Sequence, residues 1–169
     1  MISPAYLRTM AEYNAEMNRR LYAAAARLDD AERRTPRGAF WGSIHGTLNH
    51  LLWGDQQWMS RFDNWPKPTI AIKQSNQLID DFAALAAERV SADAAISRWA
   101  GKVDDAWLDE DMVWFSGAAN REITAPKRLL VAHMFNHQTH HRGQVHAMVT
   151  AAGQATGDTD LFLVVPEML

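Results

Sequence analysis

The apolar residues of this chain recur at three- and four-residue spacing in four long stretches, the period of helices that bury one face. In the first, Met10, Tyr13, Asn14, Met17, Leu21, Ala24 and Leu28 share a stripe. Ser3 followed by Pro4 opens it, a capping side chain with proline at the first helical position. Residues 29–42 are polar and hold Pro36 and Gly38, so they read as a loop. Ser43 caps a second predicted helix carrying Ile44, Leu48, Leu51, Leu52, Trp58, Met59 and Phe62, which Pro66 and Pro68 end. The third stretch runs from about Ser75 to beyond Ala100. Leu78, Phe82, Leu85, Ala92, Ile96, Trp99 and Val103 keep one alternating step there, with Arg89 the only polar member. The step survives Val90 and Ser91 unbroken, which predicts one long helix rather than two short ones.

Residues 104–122 lose the helical period. Within them, residues 112–115 and 121–123 flank Ser116-Gly117-Ala118-Ala119-Asn120, the layout of a small hairpin. A fourth helix is predicted to start with Thr124 as cap and Pro126 just inside, and to end near Gly153. The tail, residues 161–165, is apolar enough to pack back on the helices. No internal repeat or low-complexity segment interrupts the pattern. Four long amphipathic helices in 169 residues predict an all-α fold, a four-helix bundle in a single domain over residues 1–169, with a short hairpin before the last helix.

Composition narrows the chemistry. Apolar residues make up 47% and charged residues 22%, ordinary for a soluble globular protein. The formal net charge of −3 is spread along the chain, so no basic patch argues for nucleic acid. There are no cysteines, which removes disulfides, thiolate metal sites and cysteine nucleophiles together. The first residues lack a charged segment followed by an apolar one, so no signal peptide is expected. No apolar run approaches the roughly 20 residues needed to cross a bilayer. The expected location is cytoplasmic, with no membrane partner. Seven tryptophans and seven histidines stand out.

The buried stripe of the fourth helix reads Leu130, Met134, His137, His141, Val145, Met148, Ala152. His137 and His141 are four residues apart, one turn of helix on the same face, so both imidazoles can reach a single ion. Two separate core histidines, each bonded to a neighbour, are the competing reading. It is weakened because every buried imidazole needs its polar atoms satisfied, and one metal satisfies a nitrogen of each. His146 falls about 180° from His137 and is expected to face solvent. His133 and His140 fall roughly 40° and 60° away, on the rim of the stripe and toward solvent, with His133, a turn below His137, the alternative ligand or a group supporting one. A third ligand must come from another helix, and the second offers His45 and His50. Gly46 and Gly54 bracket His50 four residues to either side. Glycine costs a helix interior about 1 kcal/mol relative to alanine, so the pair points either to space kept open beside His50 or to a close helix crossing. Against a deep position, His50 lies off the main leucine stripe. Spacing alone does not choose between His45 and His50.

Asn136-His137-Gln138-Thr139-His140-His141-Arg142-Gly143-Gln144 resembles the fourth-helix signature of the DinB (damage-inducible) family, a family sometimes grouped with the bacillithiol- and mycothiol-dependent enzymes. Leu48-Asn49-His50-Leu51-Leu52-Trp53-Gly54-Asp55 is similar to its second-helix segment. Tyr13-Asn14 with Asn18 and Leu21, and Thr159-Asp160-Leu161, match more loosely, so the resemblance spans nearly the whole chain in order. It implies an up-down-down-up four-helix bundle, usually a homodimer. It also implies a divalent metal held by one histidine of the second helix and two of the fourth, here His50, His137 and His141. Zinc, nickel and iron all suit imidazole. Three histidines leave a position for water or substrate, the arrangement of a catalytic rather than a closed structural site. The family's mycothiol-dependent isomerase carries an additional C-terminal domain for which these residues leave no room.

No general acid or base is identified. Asn14 and Arg142 are open to two readings each: contact with the site or a structural bond for Asn14, an anionic substrate or a helix-contact ion pair for Arg142. The fourth helix lacks the glutamate of a zinc peptidase motif, and no glycine-rich phosphate loop occurs. Two functions remain. One is a metal-dependent thiol S-transferase or hydrolase acting on a small molecule. The other is a non-catalytic metal- or small-ligand-binding, stress-related dimer. Trp53, about 60° from His50 on its helix, is a candidate pocket wall. An open pocket over the metal favours the enzyme; a metal buried under Trp53 or the tail favours the binding protein.

Overall fold

The computed structural model describes residues 2–117 and 119–165. Helix α1, Pro4–Ala25, begins where Ser3 accepts the Tyr6 amide through its side chain. The loop expected next contains a short helix, α2, Asp30–Arg34. Asp29 caps it, and acids at its start with Arg33 and Arg34 at its end suit the helix dipole. Helix α3, Ile44–Phe62, is capped by Ser43 as expected.

The single long third helix is corrected. A 3₁₀ segment, Ile72–Gln77, precedes helix α4, Phe82–Ala100. Between them, α3 captures the backbone of Ile79. Its N–H donates to Asn49 Oδ1 at 2.7 Å, and its carbonyl lies 3.1 Å from His45 Nε2. With both groups engaged sideways, Ile79 is drawn out of a helical ladder. Asp81 then caps α4 by accepting the Ala84 amide at 2.7 Å. Past that point the helix runs unbroken through Val90 and Ser91.

A four-residue helix, α5, Asp105–Leu108, leads into the hairpin of β1, Asp111–Ser116, and β2, Arg121–Pro126. Its register pairs Trp114 with Ile123. Ala118, in the turn, lies outside the described residues. Thr124 and Pro126 pair with Val113 and Asp111, so the expected cap of the fourth helix is strand instead. Helix α6, Lys127–Ala151, starts directly from that strand, and Gly153 follows it at φ +82°. The tail differs from expectation too. Helix α7, Leu161–Val164, leaves Leu161, Phe162 and Leu163 exposed, and only Val165 is buried. What ties this end of the chain to α1 is polar: Tyr13, Arg20 and Arg27 donate to the carbonyls of Thr159, Asp158 and Ala155.

Among the four long helices, α1 packs on α4 and α6, and α3 packs on the same two. One apolar cluster joins the starts of α1 and α6 (Leu7, Ala11, Leu130, Met134) to the ends of α3 and α4 (Met59, Phe62, Ile96, Trp99). The second joins Leu21, Ala25, Val145 and Met148 to Leu48, Leu52 and Leu85 at the opposite helix ends. Along each helix, a buried polar layer separates the two clusters. Arg89 of α4 bridges Asp55 of α3 at 2.6 Å and Asp93 at 2.7 Å. Asn18 of α1 donates to Asp93, and Gln138 of α6 to Asp55. Among the described residues, no helix is long and apolar enough to cross a membrane.

Candidate metal centre

The triad grows out of α3 and α6, which bring His50, His137 and His141 to one point. One nitrogen of each lies within 4.8 Å of the others. His50 Nε2 and His137 Nε2 face each other at 2.9 Å. The three rings stand at 63°, 77° and 72° to one another, with centroids 4.6–5.0 Å apart. Two nitrogens bonded at about 2.0–2.1 Å to one cation lie about 3 Å apart, so this donor set fits a metal. His50 is buried although it lies off the leucine stripe, because the side of α3 that carries it is covered by the 3₁₀ segment and the residue 41 loop.

The outer nitrogens are also engaged. His50 Nδ1 is 2.8 Å from Ser75 Oγ, which the 3₁₀ segment supplies. His141 Nδ1 donates to Gln144 Oε1 at 2.9 Å, which leaves its Nε2 with a free lone pair. Such bonds fix the tautomer and orientation of a metal-binding imidazole. Burial first, and the neighbouring imidazoles second, push His50 and His137 down to about 3. Burial also lowers His141. All three are held neutral, the form in which imidazole binds metal.

Glycine at 54 is required by His137. A Cβ there would meet His137 Cε1 at 2.9 Å, so the space expected beside His50 belongs to its partner ring. Gly46 serves a close approach: a Cβ would lie 2.5 Å from the Trp41 carbonyl. Trp41 stacks on His50 with centroids 4.1 Å apart, and Trp53 lies near-parallel to it at 6.1 Å.

Elsewhere the histidines divide by contact. His45 clamps Ile79 and stays out of the cluster. His133 and His140 are exposed, as their rim positions implied. Facing solvent does not describe His146, which is half-buried with Nδ1 2.9 Å from Thr156 Oγ1. Arg142 is buried and donates to Asn14, so that pair bonds α6 to α1. Burial pushes the Arg142 guanidinium down to about 10.

A cavity of about 590 Å³ opens onto His50 and His137. Trp53, Trp58 and Trp114 wall it, with Gln57, Arg61 and His133. Of these, the sequence points to Trp53 as a pocket wall and to His133 as a rim residue a turn below His137. Gln57, Trp58 and Arg61 follow His50 at helical spacing on α3 and were legible in principle. Trp114 depends on the hairpin, and Ser75 on the break before α4.

A mostly helical chain with a three-histidine cluster between two of its long helices can hold a divalent metal. It belongs to the DinB family, whose model matches residues 1–166. No curated protein matches it at significant similarity.

Proposed function

We propose that this protein is a metal-dependent enzyme of the thiol S-transferase or hydrolase type, with His50, His137 and His141 holding one divalent ion, zinc or nickel first and iron as a further fit. The observation that carries this reading is the cavity opening onto His50 and His137. A structural ion needs no such approach for a small molecule, whereas three protein ligands and an open side suit catalysis. The metal, when bound, would acidify a thiol or a water toward neutrality. The chain's own residues prepare the place: Ser75 and Gln144 orient two rings, and Trp41 and Trp53 shield His50.

The same reading takes the architecture as an up-down-down-up four-helix bundle, supported by the helix ends gathered in the two apolar clusters. It includes a homodimer, for which exposed Phe162 and Leu163 offer apolar surface.

The test is elemental analysis of protein purified without a histidine tag. About one metal per chain is expected, lost in His50→Ala and His137→Ala and kept in His146→Ala. Loaded protein is then screened for thiol transfer to an electrophile and for ester hydrolysis. No metal after incubation with zinc and nickel overturns the reading. A metal whose removal lowers thermal stability alone, with small-molecule binding unchanged, points to the binding protein instead.

A further inference from the structure

Helix α3 lines the cavity with His50, Gly54, Gln57 and Arg61, which follow one another at four-, three- and four-residue steps on one face. The cavity therefore runs along α3 from the triad to Arg61, about 16 Å in axial rise over eleven residues. At its far end the Arg61 guanidinium sits over the Trp58 ring, 4.8 Å from the centroid, and 5.8 Å from that of Trp114. Among the described residues, no carboxylate pairs with it and no carbonyl accepts from it. Burial is the sole influence on its ionisation, and lowers it. Arg61 is half-buried, and the tryptophan faces engage its plane only, so its N–H donors are left to water or to a ligand in the cavity. The cavity as a whole has the same bias. None of its described lining residues is acidic, in a chain with 20 acidic and 17 basic residues.

We infer that the cavity takes an organic carboxylate with an apolar body, its acid group on Arg61, its body against Trp58 and Trp114, and its reactive end toward the histidine triad. The inference deepens the enzyme reading and rests on it for the reactive end alone. A lone guanidinium presents a planar fork that matches a carboxylate with two parallel hydrogen bonds. Trp58 and Trp114 meet at 67° with centroids 6.1 Å apart, and Arg61 lies against both rings, held at the cavity wall by their faces. An anchor placed in advance adds affinity by lowering the ordering cost of binding. Arg61 is thus a specificity-determining residue: it selects anionic over neutral substrates and sets how far along the cavity the reacting atoms lie.

The test uses 4-phenylbutyrate and its neutral analogue 4-phenylbutyramide, titrated by calorimetry into chelator-stripped and zinc-loaded protein. The acid is expected to bind at least about tenfold more tightly than the amide in both forms. Arg61→Gln should abolish that preference by weakening the acid and leaving the amide unchanged, and Arg61→Lys should keep part of it. A purely structural cation on two indoles would not alter the acid-to-amide ratio. Equal binding of acid and amide, no binding at millimolar concentration, or a preference that survives Arg61→Gln overturns the inference. The two readings fail separately. An acid preference in protein that takes up no zinc removes the metal and leaves the anion site. Zinc uptake without an acid preference does the reverse.

Discussion

At the scale of single residues, the centre depends on imidazoles kept neutral by burial. His50 and His137 fall from an ordinary 6.5 to about 3 in the folded chain. Between those values the unfolded chain binds more protons, so the stability of metal-free protein falls as pH drops. It is fully present above about 6.5 and is lost as pH approaches 3. Thermal melts of stripped protein, taken from about pH 7 to about pH 4, should show this decline, flattened in a His50→Ala, His137→Ala double variant. An equal slope in that variant would remove the two rings as its source. How much of the site was legible also differs residue by residue. The four-residue step between His137 and His141 is a property of one helix, and the sequence carries it. The choice of His50 over His45 depends on what covers α3, so spacing left it open until the family resemblance entered. His146 escapes the pattern because a helical wheel knows nothing of Thr156 folding back from beyond Gly153.

At the scale of elements, the four long helices and the hairpin were readable because periodicity reports which face is buried. Their boundaries were not, where another element intervened. The apolar step from Leu78 to Val103 passes over the break before α4, since Leu78 before it and Phe82 after it pack against the same apolar cluster. The signal that ends the helix is Asn49 and His45 reaching across from α3. Thr124 likewise has the chemistry of a cap, but pairing with β1 overrides it. The first of these breaks has a chemical result, since the 3₁₀ segment delivers Ser75 to His50. Ser75→Ala should therefore weaken metal affinity about 10- to 100-fold while leaving the stoichiometry and helical circular dichroism unchanged. Competition titration against a chromogenic chelator measures it, and unchanged affinity would show that the contact does not orient the ring.

At the scale of the molecule, the polar layer joins all four long helices through Asn18, Asp55, Arg89, Asp93 and Gln138. The sequence announced it only as a single arginine on an apolar stripe. Burial raises both Asp55 and Asp93, and Arg89 opposes that shift. Arg89→Met leaves two uncompensated carboxylates, which should cost about 3–5 kcal/mol in urea unfolding at neutral pH. Burial already holds both carboxyls above the usual carboxylate range, so they protonate readily once the arginine is gone, and the loss should shrink as pH is lowered toward 5. A loss that grew instead would argue against charge as its origin.

The facing nitrogens of His50 and His137 also have a topological meaning. They lie 87 positions apart in sequence. An ion held between them would close a long loop and restrict the unfolded chain much as a disulfide does. In a protein with no cysteine, that would be a removable cross-link, set by metal supply rather than by redox state.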